Sequence, residues 1–264
     1  NFILTCMTKE NISFNEALDK AKSLGYAEAN PSSDINGEDV ASKLKILSSL
    51  CFNSFLIKDI SVEGIKNIDK ADINNALILG YNIKLIGVAE KIKNKVYQRV
   101  HPALVKKNSY IASINGVLNA VITNGHPVGE SVIQGEGAGP EATTSALVSD
   151  ISSVLRGNIK YPFAISKKER KKFKYGSIKS QNFSAYIRID VKDKPGVLTN
   201  ITNIFSKNKV SIKRLIQNPY KSKKFASIVI ITHSCEDFFL QKTVKKLSNK
   251  SYIIKKPKII RIES

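Results

Sequence analysis

The chain has 264 residues, with 42 Lys and Arg against 22 Asp and Glu, giving a formal net charge of +20. Hydrophobic residues make up 42% and charged residues 24%, which excludes wholesale disorder and leaves length for one large domain or two ordinary ones. No run of 18 or more apolar residues occurs, so no membrane-spanning helix is expected. Three widely spaced cysteines, Cys6, Cys51 and Cys235, argue against a disulfide scaffold or a zinc cluster and fit a reducing cytoplasm. The first residue is Asn1 and the only methionine is Met7, so a fragment or processed product is expected.

Taken in chain order, the stretch FILTCMTKE precedes a helical pattern. Ser13 caps that helix, with Glu16 three residues on as in a capping box. Phe14, Leu18, Ala21 and Leu24 share a face, and Gly25 ends it. YAEANPSSDING is a polar turn-forming segment. A second helix is expected from about Glu38 to Ser49, with Val40, Leu44 and Leu47 as its apolar stripe and Ala41 and Leu50 beside it. SVEGIKNIDKADINNALILG reads as a strand end followed by a helix, capped by Asp69 or Asp72. From Asn82 the segments IKLIGVAEKI, KVYQRVHPALV, SYIASINGVLNAVITNG and PVGESVIQG read as a meander of mostly antiparallel strands. The glycine-rich GEGAGP follows, and one helix spans Ala142 to Leu155.

Residues 158–182 read as a basic linker containing SKKERKKFKYGSIKSQ. After it, AYIRIDVKD alternates as a strand and VLTNITNIFSKNK is an amphipathic helix. VSIKRLIQNP and FASIVIITHS are strands, EDFFLQKTVKKLSN is a helix, and SYIIKKPKIIRIE is a last strand. The order βαββαβ is the ferredoxin-like arrangement. The fold class is therefore α+β, in two domains of residues 1–157 and 183–264 joined by the linker.

The segment from Ala21 to Lys43 carries most of the chemistry. It presents Glu28, Asp34 and Asp39, then Lys43. Asp39 and Lys43 are four apart and share a helix face, which by itself is a surface ion pair worth about 0.3–0.5 kcal/mol. Three carboxylates and a lysine around one polar turn suit a further task. Carboxylates bind a substrate ammonium group, and lysine serves general acid–base chemistry because its pKa moves readily with surroundings.

This segment resembles the signature of the homoserine dehydrogenase family. Ala21, Gly25, Asn30–Pro31 and Asp34–Ile35–Asn36–Gly37–Glu38–Asp39 through Lys43 match every fixed position of that pattern. The flanking NFILTCM, RVHPALV, NGVLNAV and GEGAG agree, and the resemblance covers about residues 1–157. It implies NAD(P)-dependent interconversion of L-aspartate 4-semialdehyde and L-homoserine. Carried over by position, Lys43 would give the proton to the carbonyl oxygen, and Glu28 and Asp39 would hold the amino acid. Asp34 belongs to the same turn, where it would bind substrate, orient Lys43 or shape the loop. Gly25 would lie against the cofactor. Gly137 and Gly139 are further expected cofactor contacts, although the spacing G-x-G-x-x-P ends in Pro140 where a dinucleotide fingerprint needs Gly or Ala. The family begins with a nucleotide-binding domain that is not found in this sequence. The 264 residues alone are therefore expected to bind NAD(P) poorly and to turn over little or not at all. His101, His126 and His233 show no ligand spacing and are read as structural or solvated, and no metal is expected.

The second domain resembles the ACT family of amino-acid-sensing modules in IRIDVKDKPGVLTNI, with Asp193, Pro195, Gly196 and Val197–Leu198. A Pro–Gly turn opening a helix leaves backbone N–H groups free for a carboxylate. The resemblance implies L-threonine as effector, with Asp193 and the N–H groups near Gly196 as contacts, and side-by-side pairing in a homo-oligomer.

The charge suggests one competing class. Residues 1–150 hold 15 basic and 16 acidic residues, whereas residues 151–264 hold 27 basic against 6 acidic. A basic module on nucleic acid would show the aromatic RNA-binding motif on its central strands, and YIRIDV and ASIVIITH lack it. Only six of the 42 basic residues are arginine, the residue favoured for phosphate and base recognition. No specific nucleic-acid partner is expected.

Overall fold

A computed structural model describes residues 1–28, 30–58, 60–137, 139–158, 166–219 and 224–263. It divides into two compact units: residues 1–101 with 106–175, and residues 102–105 with 176–264. Residues 159–165 of the expected linker lie outside the described residues.

The first unit opens with α1 (Phe2–Glu10), in which Ile3, Leu4, Cys6 and Met7 are buried. α2 (Phe14–Ser23) starts at Ser13 with both halves of the capping box formed. It buries Ala17 and Ala21, while Leu24, expected on the apolar face, is 52% exposed. The turn-forming segment contains a short helix α3 (Ser32–Asn36), which a left-handed Gly37 separates from α4 (Glu38–Cys51). Ala41 and Leu44 of α4 pack on Val100, and Leu50 remains exposed.

β1 (Ile60–Val62) leads to α5 (Lys70–Ile78), where Asp69 is the N-cap and Asp72 its capping-box partner, so both residues proposed as caps take part. β2 (Tyr81–Ile92) and β3 (Lys95–Lys106) form a hairpin through Lys93 and Asn94. β1 runs parallel to β3. SYIAS departs from the expected meander: Tyr110–Ser113 is a helical turn, α6, because Ser109 caps it by accepting from the Ala112 N–H. β4 (Leu118–Gly125) and β5 (Gly129–Glu136) pair antiparallel in a separate sheet. α7 (Pro140–Leu155) has no buried residue and leaves Leu147, Ile151, Val154 and Leu155 exposed. The described part of the basic segment carries β6 (Lys174–Tyr175), parallel to β3.

In the second unit a 3-10 turn at Ile178–Ser180 precedes β7 (Asn182–Lys192), α8 (Val197–Lys207), β8 (Ile212–Pro219) and β9 (Phe225–Thr232). A two-residue β10 (Cys235–Glu236), α9 (Asp237–Ser248) and β11 (Lys258–Ile262) complete it. The strand order β11-β7-β9-β8 is the expected ferredoxin-like one. Ala103 and Leu104 run parallel to Arg261 and Ile262 at its β11 edge. Alternate residues of β7 (Ala185, Ile187, Ile189) meet Ile201 and Phe205 of α8 and Leu240 and Val244 of α9. Each of the larger side chains (Ile, Leu, Val, Phe) contributes about 1.5–3 kcal/mol on burial. The other face of β7 is buried as well. Tyr186 is fully enclosed, Arg188 pairs with Asp190 at 2.9 Å, and Ser227 Oγ donates to the second Asp190 oxygen.

Candidate functional site

The segment from Gly25 to Lys43 is held at three points. After α2 the chain reverses at Gly25, which is left-handed, and the Tyr26 and Ala27 N–H groups both donate to the Ala21 carbonyl. The Tyr26 ring rests on Phe2 with centroids 5.0 Å apart. Further on, Ile35 is buried and its carbonyl accepts from the Ile65 N–H at 2.8 Å. A Cβ on Gly64 would stand 2.2 Å from the Ile35 oxygen, so glycine there allows the two backbones to meet.

These anchors gather the predicted acidic residues and the lysine. Lys43 Nζ lies 2.8 Å from Asp39 Oδ2 on the exposed face of α4, their side chains 54% and 38% exposed. Asp34 lies within electrostatic reach of Asp39, Lys43 and Glu28. Its carboxyl is pushed above the ordinary aspartate range, first by partial removal from water and then by the negative charge of Asp39. The Lys43 cation opposes this, and Glu28 adds to it. The four residues thus form one neighbourhood with three carboxylates and one ammonium. Such a site attracts a cationic amino group and holds one proton donor among acceptors.

The predicted glycine contacts belong to different surroundings. The Gly137 N–H donates to the Val117 carbonyl at 3.2 Å, and a Cβ there would stand 1.8 Å from Asn119 Nδ2. Gly139 caps α7. Ala138 between them lies outside the described residues. Gly25 and Gly139 both present bare backbone, with nothing within 4 Å of where a Cβ would stand.

In the second unit Asp193 lines a cavity formed by Val191–Leu198 with Gln217 and Ile228. Gln217 Nε2 donates to Asp193 Oδ1 at 3.4 Å, and the Asp193 N–H donates to the Lys224 carbonyl at 3.0 Å. Gly196, left-handed, is the N-cap of α8; the Val197 N–H donates back to the Lys194 carbonyl at 3.3 Å, and the other first-turn N–H groups have no intrahelical acceptor beside this cavity.

Two residues beside the first site were not legible in the sequence. Lys84 on β2 is buried, and its ammonium donates to the Ile114 carbonyl and to Asn115 Oδ1 at 3.0 Å. Burial pushes it down to about 8, with the positive charge of Lys9 a smaller cause. Asn1, the N-cap of α1, offers its side-chain oxygen to the Lys84 ammonium at 3.4 Å. A lysine between Ile83 and Leu85 reads as the solvent side of an alternating strand, so periodicity pointed away from it. Among the described residues no group of three His, Cys, Asp or Glu could hold a metal ion. No described helix is long and apolar enough to cross a membrane.

The model of the homoserine dehydrogenase family matches residues 1–152, and that of the ACT domain matches residues 185–250. A curated homoserine dehydrogenase of Helicobacter pylori is 35% identical over 265 residues, spanning all of this chain and 62% of the relative. That of Bacillus subtilis is 34% identical and is matched over 61% of its length. Among solved structures, a homoserine dehydrogenase from Thiobacillus denitrificans superposes with a TM-score of 0.89 at 33% identity, covering all of this chain and 61% of that one. The enzyme from S. aureus at pH 6.0 gives 0.70 at 32% identity, covering 100% and 63%. The chain thus spans a little over three fifths of the length of these relatives. With a family model over more than half its length and two independent kinds of relative agreeing, the chain belongs to the homoserine dehydrogenase family and carries an ACT domain.

Proposed function

We propose that this chain supplies the substrate-handling and amino-acid-sensing parts of an NAD(P)-dependent dehydrogenase. The reaction is the interconversion of L-aspartate 4-semialdehyde and L-homoserine in the cytoplasm. The observation that carries the reading is the Lys43–Asp39 pair, with Asp34 and Glu28 in its electrostatic neighbourhood. The working division is residues 1–157 for substrate, a linker of 158–182, and 183–264 for sensing.

Glu28 and Asp39 bind the substrate ammonium group, and Asp34 orients the turn and restrains the Lys43 ammonium. When bound, the nicotinamide supplies or accepts the hydride at the substrate's terminal carbon. Negative charge grows on the aldehyde oxygen during reduction, and Lys43 stabilises it and delivers a proton there. In the reverse direction Lys43, as the neutral amine, takes the proton from the hydroxyl and becomes the ammonium. Gly25, Gly137 and Gly139 line the cofactor's edge; these residues do not form a complete dinucleotide site. In the second unit the α8 N–H groups near Gly196 hold an amino-acid carboxylate and Asp193 holds its ammonium. L-threonine is the proposed effector, and a homo-oligomer the proposed assembly.

Calorimetric titration tests both sites on the chain itself. L-Homoserine heat is expected to disappear in Asp39→Asn and persist in Asp193→Ala. L-Threonine heat is expected to do the reverse. Binding of both ligands unchanged in both variants contradicts the assignment.

A further inference from the structure

Lys84 is 6% exposed, and no carboxylate lies within ion-pair distance of it among the described residues. Its ammonium is held instead by three neutral oxygens, those of the Ile114 carbonyl, Asn115 Oδ1 at 3.0 Å and Asn1 Oδ1 at 3.4 Å. Three donors meet three acceptors. Burying an ammonium against neutral acceptors is costly, and a strand needs no lysine at this position, since a methionine would fill similar space. The acceptors come from two separate segments, and they are tied to each other as well. Asn1 Nδ2 donates to the carbonyls of Ile114 at 3.1 Å and Leu118 at 2.8 Å, and the Gly116 N–H donates to Thr5 Oγ1 at 3.1 Å. The first turn of α1 is therefore lashed to the 114–118 turn, with Lys84 at the centre.

Each end of this lashing leads to one half of the candidate site. Phe2, the residue after Asn1, rests its ring on Tyr26 of the acidic segment, with centroids 5.0 Å apart. The Val117 carbonyl, within the lashed turn, is the acceptor for the Gly137 N–H of the glycine loop. We propose that Lys84 is a positioning residue for the dehydrogenase reaction, its ammonium fixing Asn1 and the 114–118 turn and, through them, the placement of the glycine loop relative to Lys43. The inference rests on the dehydrogenase reading above. Lys84 acts through Asn1 and the turn, and is not itself assigned to the reacting atoms.

The test is steady-state kinetics on the chain joined behind a nucleotide-binding domain of the family, with Lys84→Met, Asn1→Ala and the double variant. kcat for L-homoserine oxidation is expected to fall about tenfold or more in Lys84→Met, since small misplacements of reacting groups are expensive, while the KM for L-homoserine changes little. The double variant is expected to be no slower than the slower single one, because both act through the same lashing. A purely structural Lys84 would lower the unfolding midpoint yet leave kcat per folded molecule at the wild-type value, and that result overturns the inference. Fully additive effects of Lys84→Met and Asn1→Ala overturn it as well. Should Lys84→Met not fold, Asn1→Ala carries the same expectation on kcat. An inactive wild-type protein removes the dehydrogenase reading and this inference with it, whereas a fully active Lys84→Met in an active protein removes the inference alone.

Discussion

Replacing Lys84 by methionine is expected to flatten the dependence of stability on alkaline pH. Burial lowers the Lys84 pKa from 10.5 to about 8, so between those values the unfolded chain carries a proton there that the folded chain has lost. Stability rises with pH wherever the unfolded state binds more protons. The Lys84 contribution is therefore most favourable above about pH 10.5 and is lost progressively as pH falls through about 8. A shift of this size corresponds to about 3 kcal/mol between the two protonation states. Between about pH 7.5 and about pH 10 the part recovered is about 2 kcal/mol. Many other lysines titrate in this range, so the useful quantity is the wild-type unfolding free energy minus that of Lys84→Met, from urea melts at both pH values. That difference is expected to move by about 2 kcal/mol in favour of the wild type on going to the higher pH. A difference that stays constant to within about 0.5 kcal/mol would refute the argument that Lys84 is buried without a compensating anion.

Other consequences follow from the same geometry. Arg261 Nε lies 2.8 Å from Asp237 Oδ1, with the two side chains 3% and 2% exposed; Asp237→Ala should destabilise the second unit by about 3–5 kcal/mol in a chemical melt. Asp39→Asn should lower the Asp34 pKa toward its ordinary value by removing a like charge, read by carboxyl NMR titration; an unmoved Asp34 would mean that Asp39 does not act on it. Ser13→Ala should cost about 1 kcal/mol through loss of the α2 capping box, measured by thermal or urea unfolding.

The features legible in the sequence are those set by local chemistry. The Ser13–Glu16 capping box needs only neighbours three residues apart and is formed; of the two candidate caps of α5, Asp69 is the N-cap and Asp72 its partner. The β7–α8–β8–β9–α9–β11 order follows from periodicity that changes between 2 and 3.6 at Gly, Pro and polar turns. The spacing from Gly25 to Lys43 allowed the acidic cluster to be named residue by residue. What stayed hidden depends on tertiary contact. FILTCM is apolar on all sides and gives no period, yet it is α1, buried through Ile3, Leu4, Cys6 and Met7. Leu24 and Leu50 have the right helical angle for a buried face but lie at helix ends beyond the packing, and both are exposed. Lys84, Arg188 and Asp190 sit where alternation predicts solvent, and instead are buried in hydrogen-bonded or ion-paired surroundings.

In the proposed reaction Lys43 handles the proton of the substrate's oxygen while Asp39 and Glu28 hold its amino group. The most direct measurement is L-homoserine oxidation by the chain joined behind a nucleotide-binding domain of the family, comparing wild type with Lys43→Met at saturating substrate. kcat is expected to fall about a hundredfold or more with the KM for L-homoserine little changed, as for removal of a general acid–base group. A Lys43→Met protein that keeps the wild-type kcat would contradict this role.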